Sequence, residues 1–361
     1  MASYGCTSDK VDVLVVGLGP AGGAAALTAA VRGLKVAGVE RRKEIGVPVQ
    51  CAEFIPLPMW KYAQSKGVLQ QRISGMKSVL PSGEVHRTES PGLMVDRAAF
   101  DQALALEAEA SGARLCRDSR LESLNLDESV AVVRTPTERI ELRYKVLIAA
   151  DGPHSFVARC LGLPPLETVE TRQYTVPLRQ PVTDTRIWLS ERYPGGYAWL
   201  FPKGESANLG LGVDKLLAPD LKLLLDELHA QLAAEGLVGL EIQRTTGGAI
   251  PVGGMRQRLV VGSVLFVGDA AGLTHPITGA GISAAVQSGE RAGLAAAARL
   301  LDGEENALTD FEEEMRAQFE VTLQRAVERR KWLRQRWQED AAKEDTVQRR
   351  GWIAFPEYFA E

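Results

Sequence analysis

The stretch from Val11 to Glu40 constrains this chain more than any other. Val11-Asp-Val-Leu-Val-Val16 is a short, nearly continuous apolar run with β-branched residues, the pattern of a strand buried in a parallel sheet. It runs into Gly17-Leu-Gly19-Pro20-Ala21-Gly22-Gly23, then into an alanine-rich helix ending near Gly33. A second strand follows from Lys35 to Val39, with Glu40 at its end. Strand, glycine turn, helix, strand and an acid about 20 residues on form the context in which GxGxxG binds a dinucleotide. Gly17 permits the tight turn and Gly19 lets backbone approach a pyrophosphate. Gly22 allows close helix–strand packing, and Ala21 shares the same turn. The helix N-terminus supplies N–H donors and the positive dipole end. Glu40 would accept from ribose hydroxyls, and Arg41 beside it is counted with the cofactor contacts.

Two later segments narrow the ligand. Val146-Leu-Ile-Ala-Ala150 reads as another buried strand and ends in Asp151-Gly152-Pro-His-Ser155. Leu265-Phe-Val-Gly268-Asp269-Ala-Ala-Gly272 reads as a third, followed by Pro276-Ile-Thr-Gly279-Ala-Gly281-Ile282 and an alanine-rich helix. A strand ending in Gly-Asp places a carboxylate at the sheet's C-terminal edge, where a ribityl hydroxyl could be held. The Gly279–Gly281 turn, opening a helix at Ile282, presents backbone N–H groups to an electron-rich ring edge.

From residue 11 to about 293, these segments resemble the FAD-binding fingerprints of the para-hydroxybenzoate-hydroxylase superfamily. The resemblance implies FAD as cofactor and an α/β fold: an FAD-binding Rossmann-like domain, an inserted antiparallel-sheet substrate domain and a C-terminal helical tail. It implies that Arg97, in Asp96-Arg97-Ala-Ala-Phe100-Asp101, pairs with a phosphate or ring oxygen. The alternative for that segment is simple capping by Asp96. The strand around Leu121 would pass under the adenine.

Two further motifs separate the families that share this framework, since fold alone does not assign function. Glu44-Ile-Gly46-Val-Pro48-Val-Gln-Cys51-Ala52-Glu53-Phe54 follows Glu40, and Tyr197-Ala-Trp199-Leu-Phe201-Pro202 precedes Gly210-Leu-Gly212 by seven residues. Both resemble the geranylgeranyl reductases, flavoproteins that saturate double bonds of isoprenoid chains. An isoprenoid chain has no polar handle near its double bonds, so its site must be an apolar tunnel shaped by rigid side chains. In an extended segment Tyr197, Trp199 and Phe201 project to one face. Pro202 would end the pairing, and Gly195-Gly196 permit close backbone approach. Such a face suits a substrate wall, and it equally suits an ordinary aromatic core. Cys51 is read either as proton donor to the alkene or as a small packing residue, with backbone at Cys51 and Ala52 contacting FAD.

The resemblance implies two half-reactions. NAD(P)H or a small electron carrier reduces the flavin; a hydride then goes to one alkene carbon and a proton to the other. No residue is an obvious strong acid for that proton. His275 is a weaker candidate, with a structural role as its alternative. Rival readings are a flavin monooxygenase or halogenase, because YAWLFP approaches a WxWxIP motif, and a non-catalytic prenyl-binding carrier.

The remaining sequence bounds context. A formal charge of −4 gives no support to nucleic-acid binding. Cys6, Cys51, Cys116 and Cys160 form no CxxC pair and no metal-ligand spacing, which suits a reducing cytoplasm and no bound metal. No signal peptide and no apolar run of about 20 residues is present. The expected domains are 1–50, 92–165 and 251–305 for FAD, 51–91 and 166–250 for substrate, and a helical region 306–361. Leu178 to Val213 reads as short strands, Leu216 to Gly236 as an amphipathic helix, Ile242 to Ile250 as a return toward the FAD domain. Leu308 to about Lys343 reads as a long amphipathic helix. Trp332, Trp337 and Trp352 lie among arginines there. That helix either contacts the inner face of the cytoplasmic membrane or packs on the substrate domain or a second subunit.

Overall fold

Parallel strands carry the nucleotide half because they are apolar along their whole length. A computed structural model describes residues 9–214, 217 and 220–360. One sheet runs in the order Val260–Val261, Val264–Phe266, Val146–Ala149, Val13–Val16, Val36–Val39, Arg114–Cys116. All its neighbours are parallel except the first pair. Every residue of the three central strands is buried. The first strand starts at Val13 rather than Val11, because the Val11 and Asp12 amides turn to the Arg143 and Lys35 carbonyls.

Helices Pro20–Val31 and Ile282–Ala297 cross closely. A Cβ on Gly289 would lie 2.1 Å from the Ala21 carbonyl oxygen, and one on Gly293 would lie 2.9 Å from that of Ala25. Small residues therefore set the crossing. A separate four-stranded sheet, Asp9–Lys10, Arg139–Arg143, Val130–Arg134 and Arg120–Asn125, carries the buried Leu121.

The second large sheet has seven strands, ordered Arg244–Pro251, Thr168–Pro177, Ser206–Val213, Tyr197–Lys203, Asp184–Trp188, Gly75–Val79, Val85–Thr88. It is antiparallel except where Asp184–Trp188 meets Gly75–Val79. Gly92–Val95 joins Phe54–Pro56 and Leu69–Ile73 in a three-stranded sheet, so hydrogen bonding crosses residue 92.

Tyr197–Lys203 and Ser206–Val213 form a tight hairpin, with Tyr197 opposite Gly212 and Trp199 opposite Gly210. Alternation sends Ala198 and Leu200 to one face, where Leu225, Leu228 and Leu232 of helix Leu221–Ala234 cover them. That helix starts at Leu221, where the Asp220 carboxylate accepts from the Lys222 and Leu223 amides. The earlier start at Leu216 falls outside the described residues.

The tail is a helix Ala307–Gln338, a short helix Asp345–Gly351 and a turn Pro356–Tyr358. Phe311, Met315, Leu323 and Leu333 are buried. Arg330 and Arg334 bond to the Asp214 carboxylate at 3.3 and 2.9 Å, and Trp337 Nε1 donates to the Glu191 carbonyl at 3.1 Å. These contacts dock the helix onto the seven-stranded sheet. Trp332 lies under Arg336 and Arg350, so its arginine neighbours are partners within the fold. Among the described residues no helix is long and apolar enough to cross a membrane.

Candidate active site

Three glycine turns converge at one edge of the parallel sheet. Gly17 has φ +91°, and a Cβ there would lie 2.4 Å from the Ala150 carbonyl oxygen. A Cβ on Gly22 would lie 1.8 Å from the Gly17 oxygen. Gly19 differs: it caps helix Pro20–Val31 without a side-chain cap, and among the described residues nothing lies within 4 Å of where its Cβ would stand. Bare backbone N–H groups thus face open space, the arrangement that holds a pyrophosphate. Ala21 carries the contact to the second turn, since a Cβ on Gly268 would meet its methyl at 2.9 Å.

Glu40 is buried, its carboxylate accepting from the Leu18 and Arg42 amides at 2.9 Å each. Each oxygen keeps lone-pair capacity for a ribose hydroxyl. Arg41 is exposed beside it. The Ser119 amide donates to the Glu40 carbonyl at 2.8 Å, which brings the strand of Leu121 to the same corner.

Asp151 ends its strand with one oxygen accepting from the Phe156 and Val157 amides. Its other oxygen is buried without a partner among the described residues, and burial raises the carboxyl above its usual range. Gly152 follows in a positive-φ turn. Asp269, also raised by burial, accepts from the Thr274 hydroxyl at 2.5 Å. Gly281 caps helix Ile282–Ala297 without a side chain, and its Cβ position is 3.3 Å from the Asp269 oxygen. Gly268, Asp269, Gly279 and Gly281 therefore form one cradle. An uncapped helix start, an orphaned carboxylate oxygen and a second uncapped helix start fit an FAD along this edge.

His275 braces the Pro276–Gly281 loop. Its Nδ1 accepts from the Ile277 and Thr278 amides at 3.4 and 3.3 Å, and its backbone bonds to Ala280 and Gly279. Burial pulls its pKa down to about 4, so at neutral pH it is the neutral imidazole and not the cationic acid that readily gives a proton. The structural reading of His275 is the one its contacts support.

Cys51 sits in a second cradle. Its sulfur accepts from the Glu53 amide at 3.2 Å. Burial raises the thiol's pKa, and the nearby Arg97 guanidinium partly opposes this, so the group is a protonated thiol at neutral pH. Arg97 forms a bidentate pair with Asp101 at 3.0 and 2.9 Å. Asp96 caps the same helix by accepting from the Ala99 amide at 2.9 Å. The Gln173 amide bridges the Cys51 carbonyl, 3.0 Å, and Trp199 Nε1, 3.1 Å.

Glu53 is the residue that sequence reasoning missed. It is 1% exposed and holds φ +70°. Its carboxylate accepts from the Arg97 amide at 2.9 Å, from Lys203 Nζ at 2.9 Å and from Asn208 Nδ2 at 2.8 Å. Lys203 shares the face of Tyr197, Trp199 and Phe201, two residues further along. The signal was present: an acid between Ala52 and Phe54, and a lysine at the next in-phase position of the aromatic strand.

The aromatic face lies between the two cradles. Tyr197 donates its hydroxyl to the Thr278 carbonyl in the loop braced by His275. Phe201 meets Phe54, next to Glu53, at 6.0 Å. Gly210 is there because a Cβ would strike the Trp199 indole at 2.4 Å, so the indole lies flat across the neighbouring strand. Gly212 extends that clearance, and Pro202 pairs opposite Ala207 within the hairpin instead of ending it. Trp352 and Phe355 of the tail cover the face, Trp352 meeting Tyr197 at 4.9 Å.

A parallel sheet whose glycine turns, Glu40 and two edge aspartates converge in this way defines the FAD-dependent flavoproteins of Rossmann type. Solved structures agree: a probable FAD-dependent monooxygenase, PqsL of Pseudomonas aeruginosa, superposes with TM-score 0.71 over 92% of this chain and 99% of its own, at 18% identity. That likeness shows the fold alone. A geranylgeranyl bacteriochlorophyll reductase-like protein from Thermoplasma acidophilum superposes with TM-score 0.83 at 27% identity, covering 93% of this chain and 92% of its own. A digeranylgeranylglycerophospholipid reductase of Methanocaldococcus jannaschii is 35% identical over 321 residues, 84% of this chain and 82% of its own length. The chain belongs to the geranylgeranyl reductase family, and residues 12–342 match the family model described as Lycopene cyclase protein.

Proposed function

We propose that this protein is an FAD-dependent oxidoreductase that saturates carbon–carbon double bonds of an isoprenoid chain carried by a lipid, quinone or pigment. The observation that carries this reading is the position of the aromatic hairpin. Its apolar face spans the gap between the Pro276–Gly281 loop and the Cys51–Glu53 loop, the two segments expected beside the cofactor. Bound FAD, once reduced, supplies a hydride equivalent to an alkene carbon.

The chain's own residues provide the rest. Gly17, Gly19, Ala21 and Gly22 hold the pyrophosphate, Glu40 and Arg41 the adenosine end, and Leu121 the adenine. Asp151, Gly152, Gly268 and Asp269 hold the ribityl and phosphate groups. Gly279, Gly281 and Ile282 support the ring, with Cys51, Ala52 and Arg97 on its other flank. Tyr197, Trp199 and Phe201 exclude water and orient a chain that offers no polar handle. Pro202, Gly210 and Gly212 shape that wall. Cys51, a protonated thiol in the loop that Gln173 ties to Trp199, is the proton source for the second alkene carbon in this reading. NAD(P)H or a small electron carrier is the reductant in this reading. The substrate is drawn from the inner face of the membrane, with the tail helix on that side.

The test is anaerobic. The flavoprotein is reduced with dithionite and given a geranylgeranyl lipid or a menaquinone, and flavin absorbance and product mass are followed together. Flavin reoxidation with a product heavier by 2 Da for each bond supports saturation. Reoxidation only with oxygen, with oxygen or halide in the product, replaces it with the monooxygenase or halogenase reading. A product of unchanged mass without reoxidation points to ring closure, the reaction named by the matching family model. A colourless preparation that retains the lipid unchanged would mark a carrier.

A further inference from the structure

The isoprenoid reading leaves one apolar cluster unused. Trp352 is 4% exposed and Phe355 1% exposed, and both lie on the wall rather than on the tail helix that precedes them. Trp352 meets Tyr197 edge-on at 62°, and Phe355 meets His86 at 4.8 Å. Beside Trp352 is a crevice bounded by Leu189, Tyr197, Ile277, Leu333 and Trp337, with about 20 Å³ free. That is room for one water, so the crevice behind the indole admits no chain as it stands.

The segment does not depend on the indole for its seat. Arg349 bonds to Glu357 at 2.7 Å, the Ser82 amide donates to Asp345 at 3.0 Å, and Arg329 donates to the Tyr358 carbonyl at 3.0 Å. Gly351 abuts Leu333, where a Cβ would stand 2.6 Å from the leucine side chain. The indole itself satisfies no polar need there, since its Nε1 is buried without a partner among the described residues. A buried indole N–H is normally hydrogen-bonded, so volume is what this side chain contributes.

We propose that Trp352, backed by Phe355, is the stop of the isoprenoid cavity and sets the length of chain that the wall accepts. This rests on the isoprenoid reading above. Replacing the indole by smaller groups opens the crevice toward Leu333 and Trp337. Each further methylene buried there adds about 0.8 kcal/mol, roughly fourfold in affinity.

The experiment measures binding of geranylgeraniol and of geranylfarnesol, one isoprene unit longer, to the oxidised holoprotein by perturbation of the flavin spectrum. Wild type, Trp352→Phe, Trp352→Leu and Trp352→Ala are compared at equal flavin content. The expected result is a preference of wild type for the shorter alcohol, with relative affinity for the longer one rising stepwise from Phe to Leu to Ala. The Ala variant should gain at least about tenfold. Trp352→Phe keeps an aromatic seat and remains informative if Trp352→Ala does not fold. A ratio of affinities unchanged across the folded variants overturns the stop while leaving the isoprenoid reading intact. Wild-type protein that binds neither alcohol overturns both.

Discussion

Glu53 ties the Cys51 loop, the start of helix Arg97–Ala110 and the aromatic strand to a single carboxylate. Its left-handed backbone is uncommon for a side chain of this size and is held in place by those bonds. Lys203 is its cationic partner, 15% exposed at the side chain. Lys203→Met removes the nearer of two cations and leaves the buried carboxylate only Arg244 at 3.9 Å, so a loss of about 3 kcal/mol is expected, read as a lower urea midpoint at unchanged m-value. The double variant Glu53→Gln/Lys203→Met should recover part of that loss, because it removes the under-compensated charge. His275 gives a second residue-scale expectation. Its folded pKa of about 4 lies below the unfolded 6.5. Above pH 6.5 both states are neutral and its contribution is complete. As pH falls from 6.5 toward 4, the unfolded chain takes up the proton first and stability is lost, by at most roughly 3 kcal/mol. His275→Gln should flatten that part of the Tm-against-pH curve; an unchanged slope would assign it to other groups.

At the scale of elements, the hairpin and the tail are coupled through Asp214, whose carboxylate meets Arg330 and Arg334 just beyond the second hairpin strand. Arg330 is 7% exposed at its side chain, so Asp214→Leu should cost about 3–5 kcal/mol and make the tail the first segment cut in limited proteolysis. Cleavage at wild-type rate would show that the apolar seat of Leu323 and Leu333 suffices alone. The nucleotide elements were legible in the sequence because their information is local. An apolar run, a glycine spacing and an acid at a fixed distance each fix one turn of backbone. The pairing of Trp199 with Gly210 was legible as a motif but not as a cause, since its meaning lies in hairpin register. The cover of Trp352 on Tyr197 was not legible, because it joins segments that share no local pattern. Tail tryptophans among arginines read as well for a lipid surface as for a packed helix. The contacts of Trp337 with the Glu191 carbonyl and of Trp352 with Tyr197 join distant segments and leave no mark in the local pattern.

Taken as a whole, the molecule brings the glycine turns of the parallel sheet, the edge proposed for FAD, to the loops beside the seven-stranded sheet. Gly19 separates folding from loading. Its φ of −72° suits any residue, and no atom lies near its Cβ position. Gly19→Val should therefore keep the melting temperature of the apoprotein yet abolish the gain on adding FAD. For wild type that gain is about 2.7 kcal/mol at a free FAD concentration one hundred times Kd. A variant that still gains on adding FAD would place the pyrophosphate elsewhere.

The cover of the aromatic wall also bears on how the protein is made. Tyr197, Trp199 and Phe201 leave the ribosome more than 150 residues before Trp352. At 5–20 residues per second, the stripe waits roughly eight to thirty seconds for its lid. Through that interval the nascent chain carries an uncovered aromatic sheet face, the kind of surface that chaperones bind and that self-associates when they are scarce.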